Sequence, residues 1–247
     1  MRVIIAPAKR MREEGEWLEV QDLPVFLERS EELKQWICGL SYEEAKKLWK
    51  CNEKIAWEAY ARFQRMDLDH AFTPAVLSYD GIQYQYLAPA VMEERELSYL
   101  QEHLRILSGF YGILRPMDAV VPYRLEMQAK TEKFGHPSLY EYWGDTLYRQ
   151  IAGETDFILN LASKEYARCV EPYLEKHMRF LTCIFGDLEG NRVVQKGTKA
   201  KMARGEMVRF LAQNRIEHPD QLKDFEGLGY HYDQERSDET MYVFVNY

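Results

Sequence analysis

Between Arg192 and Arg215 the chain carries seven basic residues, Arg192, Lys196, Lys199, Lys201, Arg204, Arg209 and Arg215, against one acid, Glu206. The local charge is +6, and from Glu217 to Tyr247 eight acids face two bases, giving −6. Segregated charge of this kind is what attraction of a polyanion requires. Lys201 and Arg204 stand three residues apart, which on a helix puts them on one face. A second candidate is the run Asn160-Leu161-Ala162-Ser163-Lys164-Glu165-Tyr166. Here an apolar strand gives way to a polar helix start, the kind of junction at which α/β proteins gather ligands. Lys164 could hold a phosphate, Glu165 could act as a base or cap the helix, and Ser163 is by default an N-cap. No histidine stands near enough in sequence to activate Ser163, so a serine hydrolase is a poor reading.

The elements that must position these residues follow from pattern. Val3-Ile4-Ile5 predicts a short buried strand stopped by Pro7, with Ala6-Pro7-Ala8-Lys9 as a loop at its end. If that strand is central, Lys9 and Lys164 lie at the same sheet edge. Pro24 opens a helix running to about Cys38. Ser41 and Glu44 form a capping box for the next helix, and the helical pattern then continues through Phe63 with a break near Asn52. Ala75 to Tyr79 predicts a strand ending at the Asp80-Gly81 turn. Glu93 to Leu107 predicts one helix, closed by the tight turn Ser108 to Gly112. Ser138 caps a further helix. Asp156 to Leu161 predicts a strand, Phe180 to Phe185 and Val193 to Gln195 a hairpin, and Ala200 to Asn214 a basic helix. Tyr230 to Tyr232 and Met241 to Val245 predict late strands. Strands and helices alternate irregularly, which predicts a mixed α/β (α+β) fold, residues 1–247 forming a single domain with one sheet flanked by helices.

Composition sets the outer bounds. A chain of 247 residues, 46% hydrophobic and 29% charged, is ordinary for a globular protein. At that length it can bury roughly three-quarters of its unfolded surface. Aromatics reach 13%, including 17 tyrosines, enough to build a core or to stack on bases. No apolar run approaches membrane-span length, and MRVIIAPAKR is too short for a signal peptide, so a cytoplasmic location is expected. Cys38, Cys51, Cys169 and Cys183 form no C-x-x-C pair and no zinc-like spacing. No metal site and no cofactor are expected. The net charge of −8 taken alone argues against nucleic acid.

Several blocks carry a family signature. His103-Leu104-Arg105-Ile106-Leu107-Ser108-Gly109-Phe110-Tyr111-Gly112-Ile113-Leu114-Arg115-Pro116-Met117-Asp118, followed by Pro122-Tyr123-Arg124-Leu125-Glu126-Met127, resembles the central motif of the YaaA peroxide-stress family. Pro7-Ala8-Lys9, Tyr142-Trp143-Gly144, Asn160 to Tyr166, Lys201-Met202-Ala203-Arg204-Gly205 and Gly229-Tyr230 match in the same order and span nearly the whole chain. The resemblance implies a mixed α/β domain with a curved sheet, a positively charged cleft and a helix-hairpin-helix-like element. It also implies a role in the peroxide response, binding of duplex or branched DNA, DNA protection or repair, and restraint of free iron. No catalytic activity is securely assigned to that family.

The implied hairpin element has a physical form in these residues. Glycines let backbone N–H groups approach phosphate without reading bases. Gly109 and Gly112 flank Phe110-Tyr111, but they stand three apart where the usual hairpin has two, and Pro116 limits a second helix. A helix C-cap at Gly109 is an equal alternative. Arg105, Arg115 and Arg124 surround the turn, and arginine's planar fork suits phosphate. Arg124 could instead pair with Glu126 or Asp118. The expected phosphate-binding set is Lys9, Arg105, Gly109, Gly112, Arg115, Arg124, Lys164, Lys201 and Arg204. Beside it stands a polar set of Tyr123, Glu126, Asn160, Ser163, Glu165 and Tyr166. That set keeps open an enzyme acting on a nucleotide or nucleic acid. For iron the sequence offers no ligand cluster, so an effect on iron would be indirect.

Overall fold

The computed structural model describes residues 1–13 and 18–246. Its main sheet has eight strands: β1 (Arg2–Ile5), β2 (Leu104–Ser108), β3 (Gly112–Leu114), β4 (Phe157–Asn160), β5 (Arg179–Glu189), β6 (Arg192–Val194), β7 (His231–Tyr232) and β8 (Met241–Asn246). The order is β7-β8-β5-β4-β1-β2-β3, with β6 pairing back onto β5. β8, β5, β4, β1 and β2 run parallel, while β3, β6 and β7 are antiparallel to their neighbours. All of β2 and β4, and Val3 to Ile5 of β1, are buried. Successive strand residues point to opposite faces, so continuous burial means that both faces of the central sheet are covered. That is why these strands read as unbroken apolar runs such as Phe157-Ile158-Leu159 and Val3-Ile4-Ile5.

The connection between β1 and β2 contains helices α1 (Leu27–Cys38), α2 (Tyr42–Trp49), α3 (Glu53–Arg65), α4 (Ile82–Leu87) and α5 (Glu94–His103). α6 (Gly197–Asn214) follows the hairpin of β5 and β6. Ser41 and Glu44 cap α2 reciprocally, and the Asn52 side chain caps α3 through the Ile55 N–H, so the expected break near Asn52 is a true boundary. α6 begins three residues before the basic run alone suggested, at Gly197.

Two predicted elements change. Ala75–Ser78 is a helical turn, and only Tyr79–Asp80 is extended. All four residues of that turn are buried, and a short apolar run buried on all sides carries no periodicity to tell helix from strand. The helix expected over 93–107 ends at His103, and Leu104 to Ser108 become β2. Its leucine spacing suited a helix, but Val3↔Leu104 and Ile5↔Ile106 place the segment beside β1, where a fully buried strand forms. The glycine turn therefore joins two antiparallel strands, and no helix-hairpin-helix is formed at this segment.

Gly109 and Gly112 owe their identity to packing. A Cβ on Gly109 would stand 2.6 Å from the Leu125 carbonyl oxygen. Gly112 has φ +73° and lies beneath the Trp143 ring, whose Nε1 donates to the Gly109 carbonyl at 3.1 Å. Both glycines are buried, so neither presents its N–H groups to a solvent-borne phosphate.

Chain order sets where a ligand can enter. From β1 the chain returns on one side as β2, then crosses to the other side as β4. Where strand order reverses in this way, the loops at the carboxyl ends of the parallel strands diverge and leave a crevice.

Candidate functional site

A cleft of about 390 Å³ opens at that reversal. Ala6 to Arg10, leaving β1, form one wall, and Ser163, Glu165 and Tyr166, following β4, form another. Tyr123 to Glu126 cross between them, Asp80 to Gln85 bring in the start of α4, and α6 contributes Lys201 and Arg204. The sequence places the first two walls by stopping β1 at Pro7 and β4 before the Ser163 N-cap. Tyr84 pins the first by donating from its hydroxyl to the Ala6 carbonyl at 3.0 Å.

Five cations, Lys9, Arg10, Arg124, Lys201 and Arg204, line the cleft with three carboxylates, Asp80, Glu126 and Glu165. Lys9 Nζ lies 2.7 Å from Glu126 Oε2, Arg10 lies 2.8 Å from Asp80, and Arg124 Nη2 lies 3.6 Å from Glu126 Oε1. The expected Arg124–Glu126 pair thus forms inside the cleft rather than in place of it. Lys201 and Arg204 have no carboxylate partner among the described residues. Three side-chain donors of the lining, Arg124 Nε, Arg204 Nε and Gln83 Nε2, are buried with no acceptor among the described residues. A buried donor left unpaired costs about 1–3 kcal/mol, so three in one cleft need a reason. Burial also pulls the Arg204 guanidinium below its ordinary range, slightly opposed by the nearby Cys183.

Of the expected polar residues, all but Asn160 line the cleft. Tyr123 is buried, its hydroxyl 2.7 Å from Ser108 Oγ and 3.0 Å from the Tyr79 hydroxyl, and burial pushes it up to about 12. Half-buried Glu165 is raised by burial, opposed by the Gln128 backbone N–H and raised again by Glu126. Tyr166 is buried and raised well above its usual range by burial. Asn160 is structural: its amide donates to Thr182 Oγ1 at 3.2 Å, and its oxygen accepts from the Ala162 N–H at 2.9 Å. Ser163 is the N-cap position of Lys164–Ala167 but makes no side-chain cap.

Lys9, Arg124, Lys201 and Arg204 come together from the expected phosphate set, with Tyr123, Glu126, Ser163, Glu165 and Tyr166 from the polar set. Lys164 points elsewhere: it is exposed and does not line the cleft, although both its neighbours do. Arg105 and Arg115 lie at the opposite end of the sheet, because β2 begins at Leu104 and antiparallel β3 ends at Leu114 opposite Ile106. Arg105 is 3% exposed and donates to Glu154 Oε2 from Nε at 2.9 Å, an internal ion pair shared with Arg2. Arg10, Asp80 and Gln83 were not expected. Asp80-Gly81 reads in sequence only as a turn, and nothing local shows that it faces Lys9.

Two of the thiols are inert by position: burial raises Cys169 to about 12 and Cys183 further. No helix of the described residues is long and apolar enough to cross a membrane. Among the described residues no group of three or more His, Cys, Asp or Glu is placed to hold a metal ion.

Comparison with known proteins extends over the whole of this architecture. The UPF0246 protein of Lachnoclostridium phytofermentans is 51% identical over 245 residues, covering 99% of this chain and 96% of its own length. That of Agathobacter rectalis is 51% identical over 244 residues, with coverages of 99% and 98%. That of Pediococcus pentosaceus is 45% identical over 245 residues, again at 99% and 98%. A family model described as "Peroxide stress protein YaaA" matches residues 1–236, a span that includes β1, the cleft loops and all of α6. With every segment that lines the cleft inside that match, the chain belongs to the YaaA peroxide stress protein family.

Proposed function

We propose that this protein binds DNA through its phosphate backbone, in the cleft at the ends of β1 and β4, as a cytoplasmic member of the peroxide response. The carrying observation is the set of buried donors without acceptors on Arg124, Arg204 and Gln83, beside the unpaired charge of Lys201. Phosphate oxygens are acceptors of the right charge, and arginine meets them in a fork. Such contacts hold the backbone and read no bases, so sequence preference is weak. Protection of DNA and a lowered iron burden would follow from that binding rather than from chemistry on iron.

Fluorescence anisotropy of labelled oligonucleotides, single-stranded and duplex, across a salt series tests the proposal. Affinity falls linearly on a logarithmic plot as salt rises. Lys201→Ala with Arg204→Ala weakens binding on the order of tenfold and flattens the salt slope by about 1.5 to 2, two phosphate contacts having gone. If the wild-type protein binds no oligonucleotide at low salt, the reading is wrong. A second reading, turnover of the bound nucleotide, is favoured by Glu165, a carboxyl raised by burial within reach of the same cleft. Oligonucleotide recovered unaltered after long incubation with stoichiometric protein removes it.

A further inference from the structure

The cations of the cleft are not equally free. Lys201 and Arg204, from α6, have no carboxylate partner among the described residues. Lys9 and Arg124, from two other walls, share one carboxylate. Glu126 Oε2 lies 2.7 Å from Lys9 Nζ, and Glu126 Oε1 lies 3.6 Å from Arg124 Nη2. Each oxygen faces its own cation. A phosphodiester carries the same unit charge on two free oxygens, so the carboxylate fills the place and the role that such a group would take between these cations. The arrangement is more than a loose surface contact. The Glu126 side chain is 21% exposed and that of Arg124 14%, so solvent screens them less than an open pair. Lys9 is 65% exposed, and its long stem can carry the ammonium to another anion with little loss of packing. Glu165 faces the same group but is held by the backbone, its Oε1 accepting from the Gln128 N–H at 3.3 Å.

Resting on the DNA-binding reading above, we infer that Glu126 is a built-in competitor of the ligand, closing the seat between Lys9 and Arg124 to a single phosphate and yielding it to a chain of them. A lone phosphate has no reason to take that seat. It would exchange one anion for another, while Lys201 and Arg204 stand open in the same cleft. A chain of phosphates arrives differently. Held at Lys201 and Arg204, it presents its next phosphates to Lys9 and Arg124 at a high effective concentration, and there displaces one carboxylate. A repulsive element set against the wrong ligand is a general source of specificity. Every backbone of a duplex or branched DNA is such a chain, so the displacement does not depend on the number of strands.

The test is a double-mutant cycle of Glu126→Gln and Lys9→Ala, read by anisotropy of a labelled DNA duplex and by calorimetry with inorganic phosphate. Glu126→Gln is expected to bind the duplex on the order of tenfold more tightly, a charge-assisted contact no longer having to be broken. Its salt slope steepens by about one, because no displaced carboxylate takes up a cation in return. Glu239→Gln removes the same charge from an exposed residue outside the cleft, and its affinity stays within about twofold of wild type. Lys9→Ala weakens duplex binding more when Glu126 is already Gln than in the wild type. Toward inorganic phosphate Lys9→Ala changes nothing in the wild type and weakens binding in the Glu126→Gln background. Should Glu126→Gln melt early, Glu126→Asp, one methylene short of both cations, is expected to show part of the same gain. Duplex affinity of Glu126→Gln at or below the wild-type value overturns the competitor and leaves the DNA reading standing, since Glu126 would then position the cations. A gain matched by Glu239→Gln, or a Lys9→Ala cost that is the same in both backgrounds, overturns it too. If neither the wild type nor Glu126→Gln binds the duplex at low salt, the DNA reading itself has failed.

Discussion

Asp118 is the residue with the most to reveal about pH. It is 3% exposed, with Oδ2 accepting from the Arg115 N–H at 2.8 Å. Burial pushes its carboxyl up to about 7, against the pull of that N–H and of the Arg115 charge, with Asp22 adding to the rise. A carboxyl raised in the folded state favours folding while protonated, and its contribution is lost as pH rises through about 7. Glu154 behaves oppositely. Burial would raise it, but hydrogen bonds from Arg105, Arg2 and Gln150 outweigh burial and bring it down to about 2, so its contribution is lost only in acid. Asp118→Asn keeps an acceptor for Arg115 and removes the titration. Its stability relative to wild type should therefore grow by about 2–3 kcal/mol between pH 5 and pH 8. Urea denaturation at the two pH values measures this, and a pH-independent difference would refute the buried charge.

At the scale of elements, the cleft depends on how closely α6 meets α4. The contact is made at Gly205: a Cβ there would stand 2.1 Å from the Gln83 carbonyl oxygen and 3.0 Å from the Leu87 nitrogen. Both obstacles are backbone, so neither can turn aside. Alanine in place of glycine would favour the helix itself by roughly 1 kcal/mol. The clash outweighs that gain, because the two helices must separate, at about 1–3 kcal/mol of overpacking. Lys201, Arg204 and Gln83 all move with the separation. Gly205→Ala should thus lower both thermal stability and oligonucleotide affinity. Loss of stability with wild-type affinity would mean that α6 does not hold the binding residues in place.

For the whole molecule the question is how a chain of net charge −8 presents a basic face. The +6 run from Arg192 to Arg215 overstates the answer, because the structure spends part of it internally. Lys196 lies 2.8 Å and Lys199 2.9 Å from Asp187 Oδ2, and Lys196 also reaches Glu189 at 3.3 Å. These pairs tie the start of α6 to β5. Of the five bases of the run outside these pairs, Lys201 and Arg204 line the cleft. Lys196→Ala/Lys199→Ala should accordingly leave DNA affinity within about twofold, although it removes as much formal charge as Lys201→Ala/Arg204→Ala. Equal losses in the two variants would show that affinity follows overall charge rather than the cleft.

Much of this was written locally. The capping box at Ser41, the Asn52 boundary, the strands at Val3 and Phe157 and the basic helix each rest on residues adjacent in the chain, whose backbone preferences act without help from elsewhere. The ordered motifs disclosed the family, and with it a mixed sheet and a charged cleft. Tertiary structure decided the rest. The segment Leu104 to Ser108 became a strand because β1 lay beside it, and burial on both faces overrode a helical spacing. Arg105 and Arg115 went to the far end of the sheet because strand direction, which no local pattern encodes, carried them there. Gln83 and Asp80 joined the cleft, and Lys196 and Lys199 were withdrawn from it, because pairing across space sets which charges remain unpaired.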